Sequence, residues 1–102
     1  MTEATSHFDI VSSTAHDLRL VGEFDAHAAE RLDATITGTS TGDVRLDLAE
    51  VTFIDSSGLR SLIVNHQRIE ATGHRLVIAS PSPTVARLFE LSEVGEYLEL
   101  ES

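Results

Sequence analysis

Hydrophobic residues in this chain change period again and again, from two to about 3.6 and back, and few architectures accommodate that alternation. Val44, Leu46 and Leu48 alternate with Asp43, Arg45 and Asp47, as in a strand with one buried face. Directly after Ile54 the period lengthens. Leu59, Leu62, Ile63, His66 and Ile69 mark a helical stripe that Gly73 can terminate. The same switch occurs earlier: Phe8, Ile10, Leu18, Leu20 and Phe24 flank the polar stretch 12–17 as a hairpin would. Asp25 then caps a helix running to about Thr37, with Ala29, Leu32 and Ile36 on one face and Gly38 at its end. Further on, Leu76, Val77, Ile78 and Ala79 form a short apolar run expected of a strand covered on both faces. Ser82 and Pro83 supply a cap and first-turn proline for a helix whose apolar side is Val85, Leu88 and Phe89, and a last strand is expected near 97–101.

The expected order is ββαβαβαβ: an α/β fold, a small mixed β-sheet flanked by helices. With 102 residues and 41% hydrophobic content, one core and a single domain spanning 1–102 are expected. The net charge of −10 disfavours nucleic acid and anionic lipid surfaces and favours a partner with a basic face. No cysteine is present, which removes disulfides and thiolate chemistry. The polar start 1–7 has no signal-peptide character, and no run approaches the ~18 apolar residues of a membrane span. A soluble cytoplasmic protein without membrane insertion is expected.

Catalytic chemistry finds little support. His7, His16, His27, His66 and His74 lack metal-ligand spacing, so no metal or other cofactor is expected, and His66 is expected to be a hydrogen-bonded, partly buried imidazole. No Gly-x-Ser-x-Gly turn or phosphate-cradling glycine loop occurs, and aromatics at 5% without Trp offer no platform for bases. The four glutamates between positions 93 and 101 read as a solvated face.

The most informative segment is Val51 to Leu59, where an apolar stretch gives way to Asp55, Ser56, Ser57 and Gly58 before the helical stripe begins. Hydroxyls there sit at a helix N-terminus, where unpaired amides and the dipole favour anionic groups. Capping by Asp and Ser is the ordinary reading, and local chemistry does not choose between Ser56 and Ser57 as a modified residue. A second segment, Gly22 Glu23 Phe24 Asp25, also runs from strand to helix. Such junctions in a parallel sheet fall on one edge, so Asp25 and the Asp55–Gly58 loop are expected to border one patch.

At these two segments the chain resembles the STAS domain family, and within it the stand-alone bacterial anti-sigma-factor antagonists. The match also takes in the strand Val44 to Leu48, Gly73, and Pro83 to Leu91 with Val85, Arg87, Leu88 and Phe89. The resemblance implies a binding module and not an enzyme. Unphosphorylated antagonist binds an anti-sigma factor with serine kinase activity, phosphorylation releases it, and a metal-dependent serine phosphatase restores it. It further implies that Ser56, the first hydroxyl after Asp55, is the phosphorylation site, and that Asp25 lies near the kinase contact surface. The implied partner-binding set is Asp25, Asp55, Ser56, Ser57, Gly58 and Leu59. Two other functions fit the same fold: a non-phosphorylated STAS subunit of a transport or stress-sensing assembly, and a nucleotide-sensing STAS module. Family members commonly continue into a further helix after the last strand, whereas this chain stops at Ser102, so a less covered sheet face or a rearranged segment near Tyr97 is expected.

Overall fold

Period-two and helical segments fold as their spacing predicts, in a computed structural model that describes residues 7–14, 16–38 and 42–101. The polar start at 1–6 lies outside the described residues, as does position 15 of the polar stretch between the first two strands. The elements are β1 (Phe8–Thr14), β2 (Asp17–Phe24), α1 (Ala26–Thr37), β3 (Val44–Ile54), α2 (Ser56–Glu70), β4 (Leu76–Ala79), α3 (Pro83–Leu91), a 3₁₀ turn at Glu93–Glu96, and β5 (Glu99–Leu100). This is the expected ββαβαβαβ order with one added turn.

Spatial order equals chain order, β1-β2-β3-β4-β5. β1 pairs antiparallel with β2, and every later pair is parallel, so the sheet is mixed. Right-handed crossovers in such a progression carry successive helices to the same face. α1 and α2 lie side by side there, joined by hydrogen bonds from Ser61 and Asn65 to the Asp33 carboxylate. Leu18, Leu20, Phe24, Leu46 and Leu48 of the sheet pack with Leu32 of α1, Leu62 of α2 and Val85 of α3 in one buried cluster.

The opposite face carries charge. Arg45 of β3 spans two neighbours, reaching Asp17 at 3.3 Å and Glu101 at 2.9 Å. Arg19 pairs with Glu50 at 3.3 Å, and Arg75 pairs with Glu99. Glu99 and Glu101, expected merely to be solvated, therefore tie the last strand to the sheet, because the register sets them beside arginines of β3 and the turn before β4. Tyr97 lies before that strand, which is two residues long.

Three further details differ from the sequence expectation. Strict alternation along β3 ends at Leu48, after which Val51 and Ile54 are the buried positions. Along β2, Arg19 to Val21 advances two residues while β3 advances three, from Asp47 to Glu50; Gly22 to Glu23 then opposes Val51 to Phe53. Each irregularity inserts one residue on β3, which shifts the inward phase. On α2, Ser61 and Asn65 are buried and Leu59 only partly so, because this helix also packs against α1. His66 is buried, with Nε2 3.4 Å from Glu70, but its Nδ1 finds no hydrogen-bond partner among the described residues.

Candidate functional site at the strand-to-helix edge

β2 and β3 end together. Phe24 pairs with Ile54 in the parallel register, so the next residue on each strand, Asp25 and Asp55, stands at the same sheet edge. Each begins a helix in the same way. Both are extended N-caps; the Asp25 carboxylate accepts from the Ala28 amide at 3.0 Å, and the Asp55 carboxylate accepts from the Gly58 amide at 3.0 Å. The capping reading of both aspartates is correct, and the juxtaposition expected of the two segments is present as well.

A backbone contact binds the two junctions: the Asp55 amide donates to the Phe24 carbonyl at 3.4 Å. Gly58 completes it. A Cβ at position 58 would stand 2.4 Å from the Phe24 carbonyl oxygen and 3.0 Å from Ile54 Cγ1, so only glycine lets α2 start this close to β2. Gly22 has a similar duty at the other end of its motif. Its φ is +105°, and a Cβ there would fall 2.1 Å from the His7 carbonyl oxygen.

Among the loop residues, exposure separates the two serines. Ser56 is exposed, Ser57 is half-buried and Gly58 is buried. Asp55 and Leu59 are half-buried, as is Asp25. The first turn of α2 thus offers one open hydroxyl beside a carboxylate already engaged by Gly58. The Leu59 amide is bonded to the Asp55 carbonyl at 3.0 Å. The Ser56 and Ser57 amides precede the helical ladder and face the site with the positive end of the dipole.

Two groups near this edge were missed by the sequence reading. Phe53, read only as part of an apolar strand, is 47% exposed, and Glu23, its register partner, stands beside it on the open face. Neither the composition nor the period identifies them, since the irregularities of β3 decide which residues turn outward. No group of three or more potential metal ligands occurs among the described residues. Nor is any helix among them long and apolar enough to cross a membrane.

Known proteins agree with this geometry. The anti-sigma F factor antagonist of Lysinibacillus sphaericus is 32% identical over 99 residues, an alignment covering 90% of this chain and 84% of that protein. The anti-sigma-B factor antagonist of Listeria monocytogenes is 26% identical over 89 residues, covering 84% of this chain and 78% of its own length. Among solved structures, the unphosphorylated anti-sigma factor antagonist SpoIIAA superposes with a TM-score of 0.70 at 25% identity, covering 94% of this chain and 89% of the other. The phosphorylated form of the Bacillus cell fate determinant SpoIIAA superposes at 0.66 with 26% identity, covering 94% and 92%. The STAS domain family model matches residues 9–102. With its sheet order, its paired strand-to-helix aspartates and the glycine that lets them meet, this chain belongs to the STAS domain family.

Proposed function

We propose that this chain is an anti-sigma-factor antagonist that binds an anti-sigma serine kinase when unphosphorylated and is released when Ser56 is phosphorylated. A metal-dependent serine phosphatase would reset it, and the reading implies a cytoplasmic protein. The observation that carries it is the exposed Ser56 hydroxyl, on the edge shared by Asp25 and Asp55, with Ser57 half-buried behind it. Relatives named antagonists, and SpoIIAA known in both phosphorylation states, support it. Asp25, Asp55, Ser56, Ser57, Gly58 and Leu59 form the contact surface in this reading.

The energetics suit a switch. A phosphoryl group adds roughly −1.5 to −2 charge beside Asp55. In the free protein the start of α2 offsets this by ~0.3–1 kcal/mol. In a complex the same charge is desolvated next to a carboxylate, at a cost of several kcal/mol. Each ~1.4 kcal/mol is tenfold in affinity, so the complex dissociates while the fold persists. Incubation with the anti-sigma kinase of the same genome and ATP, followed by mass-spectrometric mapping, is expected to place phosphate on Ser56. Ser56→Ala should bind constitutively and Ser56→Asp weakly, with Asp25→Lys weakening binding in a folded protein. Modification of Ser57 alone would move the site by one residue, and modification of neither serine would defeat the proposal.

A further inference from the structure

Strong cations are scarce in this chain, and most of them are engaged. It has 7 arginines, no lysine and 17 acidic residues. Arg19, Arg45 and Arg75 pair with carboxylates. Arg31 donates to the Phe8 carbonyl and lies 5.4 Å from the centroid of that ring, and Arg68 donates to the Thr37 hydroxyl. Among the described residues, Arg60 and Arg87 alone of the arginines have no hydrogen bond, ion pair or ring contact. On a chain with this excess of acid, an unpaired guanidinium calls for a physical reason.

For Arg60 the helix supplies one. It stands four residues after Ser56 on α2, and both are exposed. Residues at this spacing share a helix face, with Cβ atoms about 5–6 Å apart. Each Cα–Cβ bond tilts toward the helix N-terminus, so a long side chain covers the turn before its own. For Arg60 that turn begins at Ser56. No acid of α2 competes for it: the helix has none before Glu70, which pairs with His66, and the positions three and four beyond Arg60 are Ile63 and Val64. Arg60 is also the only arginine between Arg45 and Arg68. A cation near the positive end of a helix gains nothing from the dipole, so the unmodified helix gives no reason for this one. A dianion on Ser56 does. The planar fork of a guanidinium matches two phosphoryl oxygens at once, where an ammonium offers a point charge.

We infer that Arg60 clasps the phosphoryl group on Ser56 from within the chain and so stabilises the modified form. The inference rests on the proposed function for Ser56 as the phosphoacceptor, and on the helix for the arginine. In the transfer itself a bond forms between Ser56 Oγ and the γ-phosphorus of ATP, the hydroxyl proton leaves and ADP departs; Arg60 acts only on the product. The test begins with phosphoserine installed at position 56 during synthesis of the full chain, which makes it independent of any kinase. Phosphorus-31 NMR then follows the second ionisation of the phosphate, ordinarily near ~6. Its pKa is expected to lie about 0.3–0.7 unit lower in the otherwise wild-type protein than in Arg60→Gln, because the fork favours the dianion. Arg60→Lys should recover part of that difference. Arg87→Gln changes the net charge equally from α3 and should leave the wild-type value. Unmodified variants should melt with the wild type, since both arginines are exposed. Equal ionisation in wild type and Arg60→Gln, or as large a change in Arg87→Gln, would overturn the clasp. Incubation with the anti-sigma kinase and ATP separates the two readings. A clasp on the installed phosphate, with Ser56 never modified by the kinase, overturns the proposed function and the role of the clasp in it. Modification of Ser56 without the ionisation shift overturns the clasp and leaves the switch standing.

Discussion

At the scale of single residues, the site depends on what is absent at position 58. A methyl group on Gly58 would meet the Phe24 carbonyl oxygen at 2.4 Å, and that atom belongs to a backbone held by the central strand pair. Relief requires α2 to move away from β2, which separates Asp55 from Asp25. Gly58→Ala is therefore expected to lower stability by about 1–3 kcal/mol, read as a reduced urea midpoint at unchanged m-value. Helix propensity alone favours alanine over glycine by up to ~1 kcal/mol, so the sign of the measured change decides which effect governs. An increase in the midpoint would mean that the close approach is looser than the geometry states.

At the scale of elements, β5 is the shortest strand and leans on the open face for its attachment. The Glu101 amide donates to the Ile78 carbonyl at 2.8 Å, and its carboxylate receives two hydrogen bonds from the Arg45 guanidinium, at 2.9 and 3.0 Å. Those bonds hold the Glu101 carboxyl below the ordinary glutamate range and raise Arg45 further into its charged form. An acid lowered in this way contributes to the folded state above its unfolded pKa and ceases to do so as pH falls through the lowered value. Because the pair is exposed, the contribution is local and screened by salt. Amide exchange at Glu101, corrected for the intrinsic rate, is expected to quicken as pH drops below the ordinary glutamate range, while amides of β2 and β3 stay protected. Arg45→Gln should abolish that pH dependence, and a dependence that survives it would assign the effect to another carboxylate. α1 and α2 are fastened differently, through hydrogen bonds from Ser61 and Asn65 to the Asp33 carboxylate. Those bonds define the helix–helix register.

For the molecule as a whole, asymmetry of surface is the governing property: one sheet face is packed by helices and the other is a lattice of ion pairs, on a chain with 17 acidic against 7 basic residues. A field of this sign accelerates encounter with a basic partner and weakens as salt is added. Association with the proposed partner, an anti-sigma kinase, is therefore expected to slow between low salt and about 0.15 M ionic strength, where the Debye length is about 8 Å, with dissociation changing much less. Stopped-flow mixing at several salt concentrations measures both rates. An association rate indifferent to salt would mean that the charge plays no part in recognition.

The alternating periods of the sequence determined the element order, because burial of one face imposes period two on a strand and about 3.6 on a helix wherever the chain folds. They also placed Asp25 and Asp55 as caps, since capping is satisfied within one turn and needs no distant contact. Tertiary structure alone decided what depends on residues far apart in the chain. The pairing of Phe24 with Ile54 brought the two caps to one edge, and close packing there left Ser56 open and Ser57 half-covered. The insertions in β3 exist only relative to β2, so no periodicity within β3 reveals that Glu50 and Thr52 face out while Val51 faces in. The burial of Ser61 and Asn65 likewise required α1 as a neighbour: a polar residue is committed to the interior by the partner that bonds it, here Asp33, some thirty residues earlier in the chain.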